Sequence, residues 1–404
     1  MDVEEVRRHF PALARRINGR PVLFADNAST TLKSVNTIGA VARYYMEVCA
    51  NVHRGTSAIS REAEACYEGA RAKVARFINA QPEEVVFVRN TTHGINLASH
   101  LMDFQPGDEV VSTLSEHHSN ILPWTKRARV HLAALDRDGR IDPHSVARLI
   151  NRRTRLVALG HVSNVTGLVN PVRDIIEIAK RFGIPTLVDA AQSAPHMKLD
   201  VKELGCDFLA FSGHKLTGPS GIGILYVRRE ILEGAEPDEF GGGMVAHVQE
   251  DGYQLEGIPY GFEAGTPNIE GAIGLGTAID FLEKVGMEAI LEHSLALGRE
   301  LLDALRSVPR LRVYPECSEG RIGIACFVLP GIPANELTEL LSTRFGIMTR
   351  SGHHCAEPLV RHLGQQAMTR VSLYLYNTPR EIRYITDALE LVSRDRETSG
   401  TMSR

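Results

Sequence analysis

Residues 206–229 read CDFLAFSGHKLTGPSGIGILYVRR. Two apolar runs, FLAF and GILYV, flank a polar turn rich in glycine. Apolar runs without polar alternation belong to strands covered on both faces, as in a parallel sheet wrapped by helices. The reading predicts a strand over 206–215 that ends on Ser212-Gly213-His214-Lys215, and a second over 222–229. Ligands of open α/β sheets collect beyond the carboxyl ends of the strands. A lysine buried in a loop there loses proton affinity and becomes a nucleophilic amine, the alternative being a solvated loop lysine.

The pattern extends upstream. EVVFV (84–88), EVVSTL (109–114), RLVALGHVSN (155–164) and PTLVDAAQ (185–192) read as strands, and TTHGINLASHLM (91–102) and VRDIIEIAKRFG (172–183) as helices. VVFV, LVAL, TLV and FLAF are expected to run parallel, giving an α/β domain with a large, mostly parallel sheet and right-handed crossovers. From about residue 268 the character changes. Helices over 269–285 and 287–307, the strand-like RLRVYP and RIGIACFVLP, a helix over 334–345, strands over 346–350 and 367–376 and a helix over 379–394 predict a smaller α+β unit. The expected division is an N-terminal segment 1–22 packing with the small domain, a large domain 23–285 and a small C-terminal domain 286–404. The polar tail RDRETSGTMSR (394–404) is expected to be disordered.

Composition narrows the class. With 45 basic and 49 acidic residues the formal charge is -4, which argues against a nucleic-acid binder. No apolar run is long enough for a membrane helix. The N-terminus MDVEEVRRHFPALARR lacks the apolar stretch of a signal peptide, so a cytoplasmic location with reduced thiols is expected. The 6 cysteines form no C-x-x-C pair. Cys206 and Cys326 sit in strand-like runs and Cys66 in a helical stretch, so all three read as small buried hydrophobes. Cys49 and Cys317 carry no informative context.

The polar residues at the strand ends form groups. Thr91 and Thr92 open a helix beside Gly94, where backbone N–H groups and hydroxyls suit a phosphate, or serve only as a cap. Asp189 ends an apolar strand, with Gln192 following. A buried carboxylate needs a cation, either a structural partner or a protonated pyridine nitrogen. Ser212 and His214 flank Lys215 and are placed to reach a phosphate. A phosphate-type turn, an acid and a reactive lysine in this order are what a pyridoxal 5′-phosphate (PLP) site needs. His117 and His118 follow strand EVVSTL, where an imidazole can stack on a cofactor ring and exchange protons, or cap the chain.

Cys355 lies in RSGHHCAEP, expected to be exposed and mobile, with Arg350, His353 and His354 giving positive character that favours a thiolate. The His353-His354-Cys355 run lacks the spacing of a structural zinc site, so no metal is expected. Arg370, inside the apolar strand MTRVSLYLY, calls for a carboxylate: a substrate's, or an internal Asp or Glu.

These segments together resemble the group II (SufS-like) cysteine desulfurases of the class V aminotransferase family, over nearly the whole chain. The resemblance rests on NVHRGTSAIS (51–60), FVRNTTHGINL (87–97), EHHSNILPW (116–124), HVSNVTGLVNP (161–171), LVDAAQS (187–193), FSGHKLTGPSGIGILYV (211–227), FEAGTPN (262–268) and RSGHHCAEP (350–358). It implies a fold type I PLP-dependent transferase in which Lys215 carries PLP, Asp189 pairs the ring nitrogen and Gln192 contacts the ring hydroxyl. Thr91, Thr92, Ser212 and His214 would serve the phosphate, with Thr266 reaching the partner subunit's phosphate. His117 would stack on the ring and carry protons. Asn164 and Arg370 would hold L-cysteine, with His53, Arg350, Asn27 and Ala28 nearby, and Cys355 would take the sulfur as a persulfide. A homodimer and a SufE- or SufU-like sulfur-acceptor protein, feeding iron–sulfur cluster assembly or thiolation, are also implied.

Three departures touch the rim of that site. His93 stands where the family has an acidic residue, Asn27-Ala28-Ser29-Thr30 resembles the other group's loop, and Gly241-Gly242-Gly243-Met244 is one residue short. The competing expectations are a selenocysteine lyase or another class V aminotransferase or epimerase, none of which needs Cys355. A binding protein that keeps the fold without turnover is the remaining alternative.

Overall fold

The computed structural model describes residues 1–136, 138–316 and 319–401, with 396–401 as backbone only. Among these residues the larger sheet has seven strands. Their order is Val85–Val88, Gly223–Val227, Phe208–Ser212, Thr186–Asp189, Thr154–Gly160, Glu109–Thr113 and Arg129–Ala133. Every pairing from Phe208–Ser212 to Arg129–Ala133 is parallel. Gly223–Val227 runs antiparallel to both neighbours, so Val85–Val88 does not pair in parallel as expected. The connection from Ser212 to Gly223 is too short for a crossover helix, so the chain returns as a hairpin. Both strands are nevertheless buried throughout, which is why their apolar runs look like those of their parallel neighbours.

Helices start where the sequence supplies caps. Asn90 accepts from His93 N to open Thr91–Leu101, and Asn268 accepts from Gly271 N to open Ile269–Val285. The helices Ile269–Val285, Met287–Ser307 and Ala334–Phe345 match the expected ranges. The closing helix runs Pro379–Thr401, which corrects the expected disorder of the tail as far as 401. No proline follows Pro379, so nothing stops the helix at 394. Residues 402–404 lie outside the described residues.

A second, four-stranded antiparallel sheet has the order Arg312–Tyr314, Ile324–Val328, Met368–Ser372 and Arg350–Gly352. Its core is formed by Leu297, Leu301, Phe327, Leu337 and Leu389, among others. The single strand expected over 346–350 is divided. Ile347–Met348 pairs with Leu23–Phe24, whereas Arg350–Gly352 pairs with Met368–Ser372. This puts the 24–30 segment, Arg350, Arg370 and the Cys355 loop against the carboxyl edge of the large sheet.

Candidate active site

A cavity of about 280 Å³ opens where five strands of the large sheet end. It is lined by Thr91 and Thr92 after Val88, His117 after Thr113, Asn164 after Gly160, Asp189 and Gln192, and Ser212, His214 and Lys215. The second sheet contributes Arg350 and Arg370, its loop Cys355, and the N-terminal segment Ala28. Three expected residues lie elsewhere. Asn27 is buried and donates to Ser372 O and Asn377 Oδ1 at 2.8 and 3.2 Å. His53 meets Tyr67 and Tyr260 edge-on, with ring centroids at 5.5 and 5.1 Å. Thr266 lines a second cavity with Phe87, His93 and Glu263.

The polar donors sit together at one end. Ser212 Oγ accepts from Thr91 N at 2.8 Å and lies 2.6 Å from Thr91 Oγ1, and Thr92 Oγ1 is 2.7 Å from Ser119 Oγ. At the other end Asp189 accepts from Ala191 N at 2.9 Å, and burial holds its carboxyl above the usual range. Burial lowers Lys215 to about 8, against the attraction of Asp189. Gln192 Nε2 donates to Ala28 O at 2.8 Å.

His117 Nδ1 accepts from Ser119 N at 3.1 Å, so the neutral ring carries its proton on Nε2. Burial, then the nearby Lys215, push His117 down to about 3, so the neutral form prevails. Burial likewise holds His214 at about 4.

The Cys355 loop is hydrogen-bonded to the large domain in this conformation. His354 and Cys355 both have positive φ, at 53° and 56°. Asn164 Nδ2 donates to His354 O at 2.7 Å, His118 N to Cys355 O at 2.6 Å and Glu357 N to His118 Nε2 at 3.1 Å. His354 is buried with Nε2 3.1 Å from Met368 O, and burial drives it to about 3. It therefore gives Cys355 no positive charge, contrary to expectation. Cys355 itself is exposed, Cys206 and Cys326 are buried as expected, and Cys66 is exposed. Cys66 lies on a helix whose inner face is taken by Ala63, Tyr67 and Ala70. Cys317 lies outside the described residues.

Arg370 is almost fully buried and has an internal acid: NH2 lies 3.0 Å from Asp26 Oδ1, and NH1 donates to Asn164 O at 2.9 Å. The internal-acid half of the Arg370 expectation is thus met by Asp26, and Arg370 also lines the cavity.

Several lining residues were not singled out in the sequence. Glu116 is buried, and its carboxylate accepts from Thr113 Oγ1 at 2.6 Å and Asn120 Nδ2 at 2.7 Å. Burial pushes it up to about 7, with Asp189 adding to the shift. Its signal was an acid next to His117 with no cation nearby in sequence. Asn90, Ser119 and Asn170 also line the cavity and were masked by ordinary capping or turn roles, whereas Ser29, from the rim loop already noted, lines it as well.

Comparison with known proteins agrees on one family. The model of the class-V aminotransferases matches residues 23–385. A probable cysteine desulfurase of Halalkalibacterium halodurans is 44% identical, over 96% of this chain and 98% of that protein. The apo structure of a cysteine desulfurase from Thermococcus onnurineus NA1 superposes with a TM-score of 0.92 at 37% identity, covering 97% of this chain and 98% of that one. The cysteine desulfurase CsdA from Escherichia coli gives 0.88 at 35%, covering 98% and 99%.

Proposed function

The chain belongs to the class-V aminotransferase family, and from that premise we infer that it is a PLP-dependent cysteine desulfurase. It converts L-cysteine to L-alanine and leaves a persulfide on Cys355. The observation that carries this is the meeting of Lys215, Asp189 and Cys355 in one cavity.

The residues suit PLP. Asp189 is a buried carboxylate held above its usual range, a state that a cationic ring nitrogen relieves. Thr91, Thr92, Ser212 and His214 would take the phosphate at the start of the Thr91–Leu101 helix, where the helix dipole favours an anion. Lys215 would carry the cofactor. When bound, PLP supplies the electron sink that makes the Cα proton of an amino acid removable.

The protein's own groups do the rest. Lys215, with its amine lowered to about 8, keeps a deprotonated fraction at neutral pH and takes the Cα proton. Arg370 and Arg350 hold the substrate carboxylate, and Asn164 fixes both Arg370 and the Cys355 loop. The Cys355 thiolate forms an S–S bond to the substrate sulfur as the Cβ–S bond breaks. The carbon fragment is reprotonated, with His117 Nε2 as proton carrier, and leaves as alanine. A small SufE- or SufU-like acceptor protein then takes the persulfide sulfur, in the cytoplasm where thiols stay reduced.

The test is alanine release by Cys355→Ala from cysteine and from selenocysteine, beside mass spectrometry of the wild type for one added sulfur. Cysteine turnover should be lost, with the added sulfur on Cys355. Full cysteine turnover by the variant would move the chain to a lyase or aminotransferase reading.

A further inference from the structure

Two histidines follow the strand Glu109–Thr113, and they serve different places. His117 lines the cavity, whereas His118 does not. His118 instead meets the loop that carries Cys355. Its backbone N–H donates to Cys355 O at 2.6 Å, and its Nε2 accepts from Glu357 N at 3.1 Å. The neutral ring therefore carries its proton on Nδ1. One residue thus grips both ends of the turn Cys355-Ala356-Glu357. The grip answers two local needs. Glu357 opens the short helix Glu357–His362, and Ala356 before it supplies no side-chain cap. Donors at a helix start need an acceptor from outside the helix, and His118 Nε2 is one. Just before that helix, His354 and Cys355 hold consecutive left-handed φ values of 53° and 56°. Such non-glycine residues persist only where their surroundings over-determine them. The Glu357 carboxylate is taken by Arg361, at 2.8 and 2.7 Å, so it does not compete for the ring.

We infer that His118 is a positioning residue for Cys355: its backbone and its ring clasp the turn in the left-handed form that sets the thiol at the cavity. The inference rests on the proposed role of Cys355 as the sulfur acceptor. Asn164 Nδ2 ties the preceding residue, through His354 O at 2.7 Å, so the clasp acts on the Cys355 side of the loop. Loss of the ring acceptor leaves Glu357 N–H unpaired at the helix start. It also frees the turn to relax toward the φ values that non-glycine residues favour. The thiol then leaves its line of attack, while Lys215 and the groups that hold the substrate stay in place. The defect is confined to the step in which the S–S bond forms. A displacement of about 1 Å can cost such a step on the order of a hundredfold. His118 touches no reacting atom and acts through the loop alone.

The experiment compares two substitutions in the PLP-loaded protein. His118→Phe keeps a planar ring without an acceptor, and His118→Gln offers a side-chain oxygen that can accept from Glu357 N. Mass spectrometry follows deuterium uptake of peptides spanning residues 355–360, and steady-state kinetics give kcat and KM for cysteine. The third readout is exchange of the Cα hydrogen of L-alanine with solvent deuterium, which needs PLP and Lys215 but no thiol. His118→Phe should raise the uptake and lower kcat by about tenfold, with KM and the alanine exchange unchanged. His118→Gln should return both uptake and kcat toward the wild type. Faster uptake with an unchanged kcat would reduce His118 to a helix cap and overturn the inference. An equal fall in kcat and in alanine exchange would overturn it too, as would a His118→Gln no better than His118→Phe. If His118→Phe does not fold, His118→Asn, too short to reach Glu357 N, takes its place. Absence of persulfide on wild-type Cys355 would overturn the sulfur-acceptor reading, and this inference with it.

Discussion

An amine attacks a carbonyl only after losing its proton, and Lys215 does so early because burial lowers it to about 8. The group ordinarily titrates near 10.5, so burial favours the neutral form, and roughly a tenth of the amines are reactive at pH 7. Capture of PLP by the cofactor-free chain should therefore accelerate as pH rises through about 8 and level off above it. Stopped-flow absorbance in the visible band measures this; a rate that climbs only above pH 10 would mean a solvated lysine. Lys215→Ala should show neither the band nor turnover. Arg370→Lys keeps the charge but loses the planar fork, so KM for cysteine should rise at least about tenfold while kcat falls less. An unchanged KM would leave Arg370 with Asp26 alone. Lys215 and Asp189 were legible because each ends an apolar strand. Asp26 was not, because the pair it makes with Arg370 spans 344 residues of chain.

Elements hold these residues by close approach, which sequence patterns record poorly. A Cβ on Gly223 would lie 2.7 Å from Asn90 Cα and 2.8 Å from Phe211 O. Asn90 caps the helix that begins with Thr91, so Gly223→Ala should push that helix start away from Ser212. The expected result is a loss of about 1–3 kcal/mol in stability and weaker PLP retention, read by denaturant melts and dialysis. Unchanged retention would mean the helix start does not hold the phosphate. Arg71 makes a two-pronged pair with Glu263, at 2.7 and 2.9 Å, and both are almost fully buried. Glu263 also accepts from Phe87 N and Tyr67 OH, tying the Ala58–Ile78 helix to the Val85–Val88 strand. Glu263→Ala removes the two-pronged partner of the buried Arg71 guanidinium, leaving it only the partly exposed Glu68 and Val85 O, and should cost about 3 kcal/mol. A melting midpoint within error of the wild type would contradict that. Helix ranges were legible because periodicity and caps are local. The direction of Gly223–Val227 and the split of 346–350 were not, because pairing depends on partners distant in the chain, such as Leu23–Phe24.

At the scale of the whole molecule, Thr266 is the residue one chain leaves unexplained. It lines a cavity with Phe87 and His93 rather than the one containing Lys215. A role at a phosphate therefore requires a second copy of the chain. Exposed apolar side chains are available for such a contact: Val35 and Ile38 lie on one helix, Tyr45 and Met46 on the π-helical turn that extends it and Ile59 on the next helix. Light scattering should find a dimer, and Met46→Asp, which charges a side chain 75% exposed in one chain, should shift it toward monomer. If Thr266 serves the partner's site, Thr266→Ala should speed PLP release from the dimer by about tenfold, one lost hydrogen bond to a charged group. The same change made in the Met46→Asp monomer should add nothing, because the contact is already gone. Two changes that act through one contact fail to add, whereas independent ones sum. Full additivity of the two substitutions on the release rate would place Thr266 within its own chain's structure and remove the partner from the site.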